Sequence, residues 1–92
     1  MITGFRHKGL RKFFEQDDRS KLNARDVEKI GRVLAQLDSS EAPEEMDVPG
    51  FHLHPLKGKL KGFWAVTVWA NWRIVFRIQG GDARDVDLID YH

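Results

Sequence analysis

Trp72-Arg73-Ile74-Val75-Phe76-Arg77-Ile78-Gln79-Gly80-Gly81 is the stretch that decides the fold. Trp72, Ile74, Phe76 and Ile78 alternate with Arg73, Val75, Arg77 and Gln79. That period of two sends successive side chains to opposite faces of a strand. The Gly80-Gly81 pair that follows is a strong hairpin signal. Working outward, residues 63–70 read as a preceding strand, joined through a tight Ala70-Asn71 connection. Residues 83–89 read as a last strand with Val86 and Leu88 on one face. Further upstream, Phe51, Leu53 and Pro55 alternate with His52 and His54, ahead of a glycine-flanked basic turn at residues 57–62.

Before Phe51 the period is 3.6. Residues 8–16 predict a short helix with Leu10, Phe13 and Phe14 on one face. Asn23 is a good N-cap for a second helix, running to about Leu37, with Val27, Ile30, Val33, Leu34 and Leu37 as its stripe. Residues 2–5 predict a short first strand. Residues 38–50, acidic and carrying Pro43 and Pro49, predict a solvated or partner-facing loop. The expected fold is α+β: two N-terminal helices packed on one face of a mainly antiparallel sheet of four to five strands. Trp64, Val66, Val68, Trp72, Ile74, Phe76, Ile78, Val86 and Leu88 are expected under the helices. Thr67, Arg73 and Arg77 are left on a wet opposite face.

The chain has 92 residues and no cysteine, which predicts one domain spanning 1–92 and excludes a disulfide scaffold, thiol catalysis and cysteine zinc sites. Its longest apolar run, residues 63–70, is far too short to span a membrane. No apolar signal segment opens the sequence, so a cytoplasmic location is expected. The net charge of +1 hides segregation: +4 over residues 1–34, −5 over 35–50, +5 over 51–81 and −3 over 82–92. Such a dipolar domain can hold a polyanion on one face without an extreme pI.

Three groups can carry chemistry. His52 and His54, on one strand, are expected to point the same way and are followed by Lys57. Asp90-Tyr91-His92 places a carboxylate, a phenol and an imidazole in succession. Asn71 and Arg73 flank Trp72, with Arg73 on the open face as a phosphate clamp. Together they suit RNA cleavage by the RNA's own 2′-hydroxyl. That reaction needs a base, an acid and cations for the phosphorane charge, and no metal or other cofactor. A metal-dependent nuclease would want clustered carboxylates, and residues 51–81 hold none.

The ordered set Leu53-His54-Pro55-Leu56-Lys57-Gly58, Asn71-Trp72-Arg73-Ile74, Gly81-Asp82-Ala83 and Asp90-Tyr91-His92 resembles HigB-type toxins of the RelE/ParE superfamily, the plasmid-maintenance killer or host-inhibition proteins. The likeness extends to the opening Phe5-Arg6-His7-Lys8-Gly9-Leu10. The resemblance implies a ribosome-dependent mRNA endonuclease that inhibits translation, held by a helix-turn-helix, HigA-like antitoxin. Its partners would be the ribosome and mRNA, with DNA reached only through the antitoxin complex and no membrane. It assigns catalysis to His54, Asp90, Tyr91 and His92, and RNA contacts to Lys57, Asn71 and Arg73. His52 is not a motif position. Trp69 stands where relatives often carry a small or basic residue, and Arg84 where an aromatic is common. Two other readings stay open: a non-enzymatic inhibitor of a protein target, in the manner of gyrase poisons, and a plain RNA-binding module using Trp69 and Phe63 for stacking.

Overall fold

The computed structural model describes residues 1–91. Helix α1 spans Lys8–Gln16. His7 caps it, Nδ1 accepting from the Leu10 N–H at 3.1 Å. Asp17 stops it in a left-handed conformation, φ 55°, with its N–H donating to the Phe13 carbonyl at 3.0 Å. Asn23 caps a 3₁₀ turn, Ala24–Asp26, rather than the helix itself, accepting from the Arg25 N–H at 2.9 Å. Helix α2, Val27–Ser39, follows without a break and buries Ile30, Val33, Leu34 and Leu37, the stripe read from the sequence. It runs two residues past Leu37.

The acidic loop is largely exposed, as expected, but it is ordered by a short turn. A 3₁₀ turn at Pro43–Met46 buries Met46 completely. The Glu45 carboxylate accepts from the N–H groups of Glu41 and Ala42, at 2.6 and 2.9 Å, which holds the turn closed. Two hydrogen bonds to the charged form keep that carboxyl below the usual carboxylate range.

Four strands form one antiparallel sheet in the order β1 (His54–Pro55), β2 (Trp64–Trp69), β3 (Trp72–Gln79), β4 (Asp82–Asp90). Gly80 and Gly81 take φ of 60° and 82°, the paired positive angles that the tightest hairpin turn requires. The expected first strand is reduced to two isolated parallel bridges onto β4, Ile2 to Ala83 and Phe5 to Val86. Its ladder cannot be continuous because β4 bulges between those points: the β3–β4 register shifts there, and Asp85 sits at φ 54°. Likewise the alternation from Phe51 fails at His52, whose φ of 52° turns the chain, so only two residues remain as β1. His52 and His54 are therefore not successive same-face positions of one strand.

The main core lies between the helices and one sheet face. It is built on Leu10, Ile30, Leu34, Leu37, Met46, Ile74, Phe76 and Val86. A second, smaller cluster lies on the other face, where Leu56, Phe63, Ala65 and Val75 pack with Leu60 and Ile89. It forms because the connection between β1 and β2 folds back, the Leu56 N–H donating to the Phe63 carbonyl at 2.9 Å. The face expected to be wet is thus half covered, and Thr67, Arg73 and Arg77 are half-buried. Phe63 precedes β2 and is only 7% exposed, so it is not a stacking platform. Trp72 departs the other way. Expected in the core, it is 38% exposed. It sits beside the Ala70-Asn71 turn, past the paired Val66–Ile74–Leu88 row of the main core. Among the described residues no helix is long and apolar enough to cross a membrane.

Candidate active site

Register defines the site. His54, Ala65, Val75 and Asp87 form one row across the four strands. Thr67, Arg73 and Ile89 form the next. Cross-strand partners share a face. Ala65, Val75 and Ile89 belong to the second cluster, so His54 and Arg73 lie on the face away from the helices. Two strand spacings and one row separate their Cα atoms by about 12 Å. That gap suits an imidazole and a guanidinium closing on one nucleotide linkage from opposite sides.

His54 is half-buried, and its Nδ1 lies 2.9 Å from the backbone carbonyl oxygen of His52. A carbonyl only accepts, so Nδ1 carries the proton and donates it. The neutral ring then keeps its lone pair on Nε2, where a base needs it. The left-handed turn at His52 is what swings its carbonyl under the ring. In this contact His52 acts through its backbone carbonyl. Among the described residues no three His, Cys, Asp or Glu side chains gather to hold a metal.

Arg73 is anchored at the same end of the sheet. Its Nη1 donates to the carbonyls of Ala70 and Trp72, at 2.5 and 3.3 Å. Its Nε is buried and has no hydrogen-bond partner. A buried unmet donor costs free energy, and an anionic oxygen laid against the site would satisfy it. Lys57 is exposed at the rim, where it opens the 3₁₀ turn Gly58–Leu60. Lys29, on α2, donates to the Gly50 carbonyl at 2.9 Å. Its ammonium is pushed below the ordinary lysine range by burial first, then by the charges of Arg32 and Arg73. A cationic field therefore surrounds this end of the molecule.

The tail is tied to the turn: the Tyr91 N–H donates to the Asn71 carbonyl at 2.8 Å. Asn71 thus contributes its backbone here, and Tyr91 remains exposed. Asp90 pairs in register with Trp72, in the row beyond Arg73 and Ile89, so alternation sets it on the opposite face from His54. The fold brings His54 and Arg73 to one face and holds the backbone of Tyr91 at its end, but does not put Asp90 beside them. His92 lies outside the described residues.

Sequence reasoning missed a second ionic centre on this face. Arg77 donates to Asp85 Oδ2 from Nε at 2.9 Å and Nη2 at 2.5 Å, and Arg6 Nε lies 3.5 Å from the other carboxylate oxygen. Both guanidiniums also lie over the Phe63 ring, 5.1 and 5.4 Å from its centroid. The arginine hydrogen bond, more than burial opposes, holds the Asp85 carboxyl below its ordinary range. The residue types were visible, but the β4 bulge that joins them leaves no periodic signal.

Comparison with known proteins places the chain in a family. A family model described as the RelE-like toxin of type II toxin-antitoxin system HigB matches residues 3–92. The chain is 42% identical over 92 residues to Endoribonuclease HigB of Proteus vulgaris, covering 100% of both chains. It is 32% identical over 90 residues to Toxin HigB-1 of Vibrio cholerae serotype O1, covering 96% of this chain and 95% of the relative. Among solved structures, the YoeB-YefM complex from Staphylococcus aureus is similar with a TM-score of 0.64 at 18% identity, covering 100% of this chain and 98% of the other. The YoeB/ParE toxin from Agrobacterium tumefaciens has a TM-score of 0.59 at 21% identity, covering 100% and 99%. At those identities the two structures speak for the fold alone. A family match along nearly the whole chain and a full-length relative at 42% identity decide the matter: the chain belongs to the HigB-like toxins, RelE-like toxins of type II toxin-antitoxin systems.

Proposed function

We propose that this toxin is an endoribonuclease that cuts translated mRNA on the ribosome, using the RNA 2′-hydroxyl and no catalytic metal. The observation that carries the reading is the pairing, on one sheet face, of a histidine whose Nδ1 is engaged by a backbone carbonyl and an arginine with an unmet buried Nε. The His54 Nε2 takes the 2′-hydroxyl proton as the 2′-oxygen attacks phosphorus. Arg73 and Lys57 meet the growing phosphorane charge. The bond from phosphorus to the 5′-oxygen breaks, and the tail of Tyr91 and His92 gives that oxygen its proton. The products are a 2′,3′-cyclic phosphate and a 5′-hydroxyl, and every proton is accounted for. Asp90, on the other face, is read as fixing the tail.

The name of the Proteus relative supports the nuclease, and membership of a family of type II toxin-antitoxin toxins supports an antitoxin partner. We extend both to this chain: an RNase held inactive by a helix-turn-helix antitoxin, acting in the cytoplasm as one domain over residues 1–92. The test is cleavage of mRNA on purified translating ribosomes, with the ends mapped. A 2′-deoxy substitution at the scissile nucleotide should abolish cutting. A chelator added with ribosomal magnesium maintained should not. Cleavage that is lost in chelator and restored by zinc alone, or that survives the 2′-deoxy substitution, would overturn the mechanism.

A further inference from the structure

Asp26 is one of two buried polar residues among the described residues, and the chemistry above gives it no role. It grips Arg25 with both carboxylate oxygens, accepting from Nε at 2.9 Å and Nη2 at 3.1 Å. Asn23 fixes the Arg25 backbone from below. The guanidinium so held lies over the indole of Trp69, 4.9 Å from the ring centroid. Trp69 is nevertheless 52% exposed, the most exposed of the tryptophans. One face of the indole is thus held by a clamped arginine while the residue stays half in water, the geometry of a pre-set stacking surface. Trp69 ends β2 beside the turn whose carbonyls hold Arg73 and Tyr91. Arg25 also borders a groove of about 190 Å³ with Trp72, Lys21 and His7.

We propose that the face of the Trp69 ring opposite Arg25 is a stacking platform for one base of a single-stranded RNA whose phosphates run toward Arg73. This rests on the reading of the protein as an RNA-cutting toxin and adds a binding subsite to it. Every nucleobase has a π-face, so the platform grips without reading sequence. Arg25, Lys29, Arg32 and Arg73 supply the charge a polyanion needs, and the ion pair with Asp26 prevents Arg25 from leaving the ring. The pre-set stack lowers the ordering cost of binding.

Affinity for a 2′-O-methyl RNA decanucleotide, which cannot be cleaved by its own hydroxyl, measures the platform independently of catalysis. Trp69→Ala should weaken binding about tenfold, and Trp69→Phe by no more than about threefold. In Trp69→Ala the slope of log affinity against log salt should stay as in wild type, because no phosphate contact is lost. In Arg73→Ala it should flatten by about 0.7. Far-UV circular dichroism confirms that each variant is folded. Failure of the wild type to bind the oligonucleotide, or equal binding by Trp69→Ala, overturns the platform. Loss of antitoxin binding in Trp69→Ala with oligonucleotide affinity unchanged makes the patch a protein-docking surface and overturns it too. The nuclease reading stands or falls separately, on cleavage of translated mRNA by the wild type.

Discussion

The backbone carbonyl of His52 accepts a hydrogen bond from Nδ1 of His54 at 2.9 Å, and it can do so because His52 sits at φ 52°. One strained backbone position thereby sets the tautomer of the neighbouring imidazole. The side chain of His52 is exposed and takes no part. His52→Gly should therefore keep mRNA cleavage within about twofold, since glycine adopts the same conformation and retains the carbonyl. His54→Ala should cost about 10²- to 10⁴-fold, the usual loss for a positioned proton-transfer group. A large loss in His52→Gly with the fold intact would show that the side chain, not the carbonyl, does the work.

Asp85 predicts an acid-sensitive fold. Its folded-state carboxyl titrates below its ordinary value, so the unfolded chain binds its proton first as pH falls. The stability it contributes is fully present above about pH 4, the ordinary carboxylate range, and is lost as pH falls through the folded value. Asp85→Asn removes the charge while keeping a residue that tolerates φ 54°. At pH 7 its melting temperature should fall by a few degrees, and the gap to wild type should narrow as pH falls below the ordinary carboxylate range. A gap that persists unchanged at low pH would mean the bulge, not the ion pair, is responsible.

Ala70 takes φ of 50° in the β2–β3 turn, a conformation that costs a residue with a Cβ roughly 1–2 kcal/mol. Ala70→Gly removes that cost but frees the unfolded chain by about 0.5–1 kcal/mol. The net expectation is a gain of about 0.5 kcal/mol in chemical denaturation, with an unchanged m-value. Because Arg73 is held by the Ala70 carbonyl, which glycine keeps, RNA affinity should not change.

The strands and helices were legible because their periods were clean. The Ile74–Phe76 alternation and the stripe from Ile30 to Leu37 each point one way, and both lie in the main core. What escaped were positions decided by single backbone angles. The bulge at Asp85 cut the first strand to two bridges, and the turn at His52 did the same to the run from Phe51. The second cluster was hidden because Leu56, Leu60 and Phe63 have no common period; a loop closed by one backbone bond brings them together. In the candidate site, the face of Arg73 was legible from alternation, whereas His54 was singled out by the family resemblance, since the turn at His52 breaks the alternation there. The Asp26–Arg25–Trp69 stack joins a helix start to a hairpin tip across 44 residues, and no local pattern announces it.

The end of the chain gives the sharpest separation of folding from chemistry. The Tyr91 backbone makes one hydrogen bond, to the Asn71 carbonyl, and its side chain is 37% exposed. A variant ending at Asp90 keeps the Trp72–Asp90 pairing, the whole of β4 and both apolar clusters. Among the described residues it loses the Tyr91–Asn71 backbone hydrogen bond, worth about 1 kcal/mol, and little apolar area. For a domain of this size that is a drop of roughly 4–8 °C in melting temperature. The same truncation removes both groups proposed to protonate the leaving 5′-oxygen, so cleavage of translated mRNA should fall by about 10²- to 10⁴-fold. Oligonucleotide affinity should change far less, because Arg73, Lys57 and Trp69 all remain. A truncated protein that is folded, binds RNA and no longer kills is the expected result. One that cuts at the wild-type rate would move the general acid elsewhere on the face, and Lys57 would be the next group to replace.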